Sequence, residues 1–117
     1  MYDHGDRMSI TLNEYQNKAR STALYPEAEA LSYTVLGLNG EAGELAEKMK
    51  KCLRDDAGIL TENRKAAMQK ELGDVLWYVA NLAYELDATL EQIAEGNLEK
   101  LFSRKRRGTL QGSGDER

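Results

Sequence analysis

The sequence predicts an all-α protein, a four-helix bundle with two long central helices. Apolar residues recur every three or four positions over most of the chain, which is the spacing of one face of a helix. Two capping boxes, Thr-x-x-Glu and Thr-x-x-Gln, mark helix starts. No segment alternates between apolar and polar residues as a half-buried strand does. The length of 117 residues suits a single domain.

The first helix is predicted over residues 11–23. Thr11 and Glu14 form its capping box, and apolar residues then follow at helical spacing. Pro26 ends the pattern, because a proline disfavours the helical conformation of the residue before it. Residues 1–8 are polar and aperiodic, so we expect a loose terminus there.

The two long helices come next. The second helix is predicted from about Glu27 to Asp55, with Gly58 as a left-handed stop just beyond its end. Thr61 is placed to cap the third helix, whose apolar stripe continues to Leu86. Because both stripes are long and strongly apolar, these two helices are expected to form the centre of the bundle.

The fourth helix begins at the second capping box, formed by Thr89 and Gln92, and continues to about Arg107. Beyond it the chain is rich in glycine, which predicts a flexible or ligand-ordered tail rather than a helix. We therefore divide the chain into a helical domain, residues 1–107, and a Gly-rich C-terminal tail, residues 108–117.

The composition argues against several classes of protein. A single cysteine and a single histidine leave no disulfide framework, no cysteine zinc site and no site that needs two histidines. The chain has no run of 18 apolar residues and no signal-peptide pattern, so we expect a cytoplasmic protein without a membrane span. The net charge of −4 argues against binding nucleic acid mainly by charge.

The second and third helices each carry a pair of acids beside the apolar stripe. Glu41 and Glu44 lie one turn apart on the second helix, and Glu71 and Asp74 lie one turn apart on the third. The same sectors continue with side chains able to bind phosphate: Lys48, Lys51, Tyr78 and Asn81. Packed face to face, four carboxylates would raise one another's pKa or bind a cation. An all-oxygen ligand set favours a hard cation, Mg²⁺ first and Mn²⁺ second. A solvated acidic face is the alternative.

Two further features bear on this site. The two long helices contain interior glycines at four positions: Gly37, Gly40, Gly43 and Gly73. Each costs about 1 kcal/mol relative to alanine, and a close approach of a neighbouring helix or a ligand would offset that cost. Ferritin-like di-iron oxidases use Glu-x-x-His pairs, which this chain lacks, so a redox di-iron centre is not expected.

These residues resemble the MazG-type all-α nucleoside triphosphate pyrophosphohydrolases, whose relatives include the dimeric dUTPases and the dCTP pyrophosphatases. The resemblance covers about residues 10–110 and lies chiefly in GEAGELAEK at residues 40–48 and ELGDVLWY at residues 71–78. It implies a bundle completed by oligomerisation, as a homodimer or a dimer-of-dimers tetramer.

The resemblance also implies a reaction: a metal-activated water attacks a nucleoside triphosphate between the α- and β-phosphates, giving a monophosphate and pyrophosphate. The residues implied as Mg²⁺ ligands are Glu41, Glu44, Glu71 and Asp74. Glu41 and Glu44 are the candidate catalytic carboxylates, and Glu44 is the candidate for holding or deprotonating the water. The residues implied as phosphate contacts are Tyr78, Asn97 and Lys100.

The end of the fourth helix is basic. Residues 100–117 contain six basic and two acidic side chains, whereas the rest of the chain is acidic. Lys100, Arg104 and Arg107 are candidates for triphosphate binding, and basic residues also suit the negative end of a helix. The alternative function is a non-enzymatic helical-bundle module that binds a partner through its acidic face. House-cleaning of damaged nucleotides and control of the dNTP pool both stay open.

Overall fold

The computed structural model describes residues 9–117, so the expected loose terminus at residues 1–8 lies outside the described part. Four α-helices follow one another: α1 (Leu12–Arg20), α2 (Ala30–Asp55), α3 (Glu62–Glu85) and α4 (Leu90–Arg107). A single 3-10 turn, Glu27–Glu29, precedes α2. Residues 9–117 contain no strand, so the predicted all-α class is confirmed.

The helix starts are those that the capping residues predict. Thr11 and Thr89 each accept a hydrogen bond from the backbone three residues on, in complete capping boxes, and Thr61 caps α3 in the same way. At the end of α2, Gly58 has φ +78° and donates to the Cys52 carbonyl at 3.1 Å. Local sequence therefore determines most helix ends here.

The end of α1 differs from the prediction. The helix stops at Arg20, three residues before the predicted end. The hydroxyls of Ser21 and Thr22 donate to main-chain carbonyls three residues back, at 2.6 and 2.8 Å. Such side-chain bonds compete with the helical ladder, and Trp77 of α3 fixes the turn by donating to the Thr22 hydroxyl at 2.8 Å.

The second and third helices form an antiparallel hairpin, and α1 and α4 pack against α3. The core between α1, α3 and α4 is small and is built from Ala19, Ala80 and Leu90, with Tyr15, Trp77 and Val79 against them. Gln16 joins these three elements. Its amide nitrogen donates to the carbonyls of Ala80 and Ala88, both at 3.1 Å, and its oxygen accepts from the Leu90 N–H at 3.1 Å.

Large apolar side chains of the central hairpin remain exposed. Those with at least 40% exposure on α2 and α3 include Leu31, Val35, Leu36, Leu72 and Leu76. By contrast, the buried apolar residues of the described chain are four alanines, Cys52 and Leu90. Contiguous exposed apolar surface is typical of a protein interface. No helix within residues 9–117 is long and apolar enough to cross a membrane.

The interior glycines do not all allow a close approach. A β-carbon on Gly37 would overlap the ring of Tyr78, so this glycine lets α3 lie against α2. At Gly40, Gly43 and Gly73 an added β-carbon would meet no atom within 4 Å. The expected close approach of a neighbouring helix is therefore confirmed at Gly37. At the other three glycines, the approach of a ligand stays a prediction.

A matched pair of alanine variants tests this difference. Gly37→Ala is expected to lower the free energy of unfolding by about 1–3 kcal/mol, because overpacking displaces the Tyr78 ring. Gly40→Ala lies on the same helix in open space and is expected to raise it by about 0.5–1 kcal/mol. Urea denaturation of both variants measures the difference, and equal midpoints would contradict it.

Candidate metal centre

The antiparallel hairpin brings three of the four predicted acids together. Glu41 of α2 and Glu71 and Asp74 of α3 each offer a carboxylate oxygen, and these oxygens lie within 4.8 Å of one another. We call these three residues the acid cluster. Because every ligand atom is a carboxylate oxygen, the donor set suits a hard divalent cation.

The side chain of Glu71 is largely buried, with 14% exposure. One of its oxygens lies 3.3 Å from Nζ of Lys48 on α2. While the acids of the cluster are ionised, its other oxygen, Oε2, is buried and has no hydrogen-bond partner. An unpaired buried carboxylate oxygen is costly, and a cation held by the cluster would supply the missing partner. The residues present therefore fit a divalent metal ion.

The neighbouring acids change the protonation of Glu41. Its pKa is raised above the ordinary value, first by a hydrogen bond that its protonated carboxyl donates to Glu71, then by burial and by the charges of Asp74, Glu71 and Glu44. A carboxyl whose pKa is raised on folding stabilises the fold only while it is protonated. Without a cation, the acid cluster therefore becomes less favourable as the pH rises.

Melting temperatures test this repulsion. A raised folded pKa gives stability that is complete below the unfolded value near 4.5 and is lost as the pH rises through the folded value. In protein freed of divalent cations, Glu41→Gln should therefore raise the melting temperature at pH 7 and change it little at pH 4. Millimolar Mg²⁺ should raise the melting temperature of the unmodified protein more than that of the variant.

The control for this measurement is Glu47→Gln on the same helix. Lys50 lowers the pKa of Glu47 through a hydrogen bond and its charge. The surroundings therefore favour the ionised form of Glu47, whereas they disfavour the ionised form of Glu41. The Glu47 variant should gain no stability at pH 7 and should keep the full response to Mg²⁺. A Glu41→Gln variant that melts below the unmodified protein at pH 7 would contradict the repulsion.

The structure places Glu44 and Lys51 at the exposed edge of this region. Glu44 is not part of the acid cluster, although its charge contributes to the raised pKa of Glu41. Lys51 is exposed on the next turns of α2. Glu44 as a ligand and Lys51 as a phosphate contact therefore stay predictions.

The hairpin of α2 and α3 lies in a region that matches a known protein family. The family model of the MazG nucleotide pyrophosphohydrolase domain matches residues 30–109, which include the whole acid cluster. The chain belongs to the MazG nucleotide pyrophosphohydrolase family. A relative, the Gene 37 protein of Mycobacterium phage L5, is 53% identical over 109 residues, which cover 88% of this chain and 96% of that protein. No solved structure matches the chain.

A group of aromatic rings adjoins the MazG acid cluster. The pKa of Tyr78 is raised by burial, by a hydrogen bond with Tyr33 and by the nearby charges of Glu41 and Asp74. Tyr33 stacks on Tyr25 with ring centroids 5.1 Å apart and an interplanar angle of 26°. Sequence reasoning assigned Tyr78 a role but missed Tyr25 and Tyr33, because their contact depends on the path of the α1–α2 connection.

Beyond the aromatic rings lies a polar cleft of about 410 Å³, whose lining includes Arg20, Tyr25 and Glu85. Arg20 donates to the Glu85 carboxylate at 3.2 Å, and its guanidinium lies over the Tyr84 ring, 3.8 Å from the centroid. Tyr25 donates to the same carboxylate at 2.8 Å. Burial and this bond to Glu85 raise the pKa of Tyr25 to about 12.

The structure places Asn81 away from the acid cluster. Asn81 is fully buried and accepts from Arg20 at 3.2 Å, while its amide donates to the Trp77 carbonyl at 3.0 Å. The predicted role of Asn81 in phosphate binding assumed that its side chain lies on the same face of α3 as Glu71 and Asp74. Asn81 lies at the edge of that face, two turns beyond Asp74, where α1 covers it.

Three basic residues of α4 contact the C-terminal tail. Lys100 and Arg104 both lie 3.3 Å from the carboxylate of Asp115, and Arg107 donates to the Arg117 carbonyl at 3.1 Å. The tail thus folds back on α4 through these contacts. Its flexibility and its ordering by a ligand stay predictions. Among residues 9–117, no hydrogen bond or ion pair links these bases to the acid cluster. Asn97 is exposed on the same helix.

Proposed function

We propose that this protein is a Mg²⁺-dependent nucleoside triphosphate pyrophosphohydrolase, which converts a nucleoside triphosphate and water into a monophosphate and pyrophosphate. The single observation that carries the proposal is the acid cluster of Glu41, Glu71 and Asp74, with its unpaired buried oxygen on Glu71. Membership of the MazG family supports the same reaction class. The cation requirement follows from the charge of the substrate, because three bare carboxylates repel a triphosphate.

The acid cluster would hold the metal ion, and Glu44 lies beside it at the exposed edge of α2. A bound Mg²⁺ supplies charge neutralisation and lowers the pKa of a water molecule near it. Mn²⁺, which accepts the same oxygen ligands, would substitute for it. Lys48 pairs with Glu71 in the present structure, and it would be available to a phosphate oxygen if a bound cation neutralised that carboxylate.

Individual side chains of the protein have separate roles in the reaction. The water oxygen bonds to the α-phosphorus as the bond from that phosphorus to the bridging oxygen breaks, and pyrophosphate leaves. Glu44 holds the water and takes its proton, because its exposed carboxylate is the one outside the acid cluster. Tyr78 donates its hydroxyl to a phosphate oxygen, and its raised pKa keeps that proton in place at neutral pH.

The nucleoside would lie against the aromatic rings next to the acid cluster. Tyr25, Tyr33 and Tyr78 form a continuous series of ring contacts that begins beside Glu41 and Asp74. Aromatic faces stack on any base, worth about 1–3 kcal/mol per base. This surface therefore extends the phosphate site in the direction in which a nucleotide substrate would continue.

We also propose that the working unit is a homodimer or a dimer-of-dimers tetramer. The exposed apolar face of α2 and α3 is one support, because one chain leaves it uncovered. The position of α4 is another, since its basic end is not linked to the acid cluster of the same chain and a second copy can supply it. Light scattering at micromolar concentration should give at least twice the mass of one chain, and a monomer would contradict this.

A substrate panel tests the proposed function directly. The protein is incubated with each ribo- and deoxyribonucleoside triphosphate, with Mg²⁺, with Mn²⁺ or with a chelator, and both phosphate products are quantified. We expect pyrophosphate in a one-to-one ratio with nucleoside monophosphate, only when a divalent cation is present. The same panel also measures which base and which sugar the protein prefers in its substrate. Orthophosphate as the direct product would contradict the proposed bond cleavage.

A further inference from the structure

The C-terminal tail, residues 108–117, forms a built turn rather than a loose end. Arg117 donates to three main-chain carbonyls of the tail: those of Thr109 at 3.2 Å, Leu110 at 3.0 Å and Gly114 at 2.6 Å. Gly112 and Gly114 have φ values of +124° and +86°, which residues with a β-carbon rarely adopt. These contacts fold the tail back along the last turns of α4.

The folded tail presents one carboxylate to the cations of α4. Oδ1 of Asp115 lies 3.3 Å from Nζ of Lys100 and 3.3 Å from Nη2 of Arg104. The same Nη2 atom donates to the main-chain oxygen of Asp115 at 2.9 Å. These two cations also lower the pKa of Asp115, so the carboxylate is ionised at neutral pH.

The two sides of this contact differ in burial. The side chain of Arg104 is 5% exposed, and its Nε is buried without a hydrogen-bond partner. The side chain of Asp115 is 81% exposed. Arg104 is therefore held in place and has one N–H donor without a partner. The carboxylate of Asp115 faces water, so its release from Arg104 costs little free energy.

A phosphate group would satisfy this cationic site better than a carboxylate does. A phosphate offers more acceptor oxygens and more negative charge than Asp115, and arginine binds phosphate through two parallel hydrogen bonds. The residues that Asp115 occupies, Lys100 and Arg104, are those that sequence analysis assigned to the triphosphate. One anion must therefore displace the other.

We propose that the tail is an autoinhibitory strap, in which Asp115 competes with the phosphates of the substrate for Lys100 and Arg104. The identity of the displacing anion as a triphosphate rests on the proposed function. The strap raises the nucleotide concentration needed for binding, because the phosphates must displace Asp115 before they can contact both Lys100 and Arg104. Removing the charge of Asp115 should therefore strengthen polyphosphate binding instead of weakening it.

The test is titration calorimetry with inorganic tripolyphosphate, using full-length protein freed of divalent cations. Asp115→Asn keeps the shape of the side chain and removes its charge, and the matched control Glu116→Gln removes the neighbouring charge. We expect Asp115→Asn to lower the Kd about two- to five-fold, as for an exposed ion pair, and Glu116→Gln to leave it nearly unchanged. The KM for the nucleotide should fall by a similar factor, with kcat unchanged.

Equal affinities in the unmodified protein and Asp115→Asn would overturn the strap, and so would undetectable binding in both. Weaker binding by Asp115→Asn would also overturn it, since the tail would then assist binding. Failure of the proposed function gives a different result: no nucleoside triphosphate is hydrolysed, and the calorimetric difference between the two proteins persists, because tripolyphosphate binding needs no turnover.

Discussion

Replacing any one residue of the acid cluster by its amide is expected to reduce pyrophosphate release by about 10²-fold or more. The three variants are Glu41→Gln, Glu71→Gln and Asp74→Asn. Each removes one negative oxygen ligand and keeps the side-chain shape, so the loss reports on charge and not on packing. Because the three oxygens lie within 4.8 Å of one another, the variants should also lose most of their Mg²⁺ affinity.

Glu47→Gln is the matched control for these variants. Glu47 lies on α2 near the acid cluster in sequence but pairs with Lys50 on the exposed surface, 2.9 Å away. Its amide should keep at least half of the activity. Equal activity in the unmodified protein and the acid-cluster variants would contradict a catalytic role of the acid cluster. No pyrophosphate release by any of these proteins would favour the alternative function, a helical module whose acidic face binds a partner without catalysis.

The second large effect is expected at the basic end of α4. Replacing Lys100 and Arg104 by methionine should raise the KM for the nucleotide about 10- to 100-fold, because charge-assisted hydrogen bonds to phosphate are lost. The product should remain pyrophosphate, since the acid cluster is unchanged. Steady-state kinetics over a range of nucleotide concentrations separates the expected change in KM from any change in kcat.

The double variant Lys105→Met/Arg106→Met removes the same charge from the same helix. Both side chains are exposed, so this control keeps the bonds that Lys100 and Arg104 make to Asp115. A KM that rises equally in both double variants would show that only the overall charge matters. If both keep the normal KM and lose salt-sensitive oligonucleotide binding, the basic end serves nucleic acid instead.

Local features of the chain predicted the helices well. The capping residues Thr11, Thr61 and Thr89 form the bonds expected of them, because a cap involves residues only three positions apart. The end of α1 was predicted too late, because the Ser21 and Thr22 hydroxyls bond to carbonyls of its last turn and the distant Trp77 fixes Thr22 in that position. Hydrogen bonds between residues a few positions apart give recognisable sequence patterns, whereas bonds between distant residues do not.

The sequence by itself determined the all-α class, the starts of α1, α3 and α4 and the pairing of acids on two faces, because each follows from the helical period or from a cap of a few residues. The start of α2 was predicted near Glu27, but residues Glu27–Glu29 form a 3-10 turn and α2 begins at Ala30 without a side-chain cap. Only the tertiary structure decided that Glu41, Glu71 and Asp74 meet while Glu44 stays at the edge. It likewise buried Asn81 under α1 and placed Asp115 on the cations of α4. These outcomes depend on how helices and tail pack, and packing brings together residues whose separation along the chain carries no periodic signal.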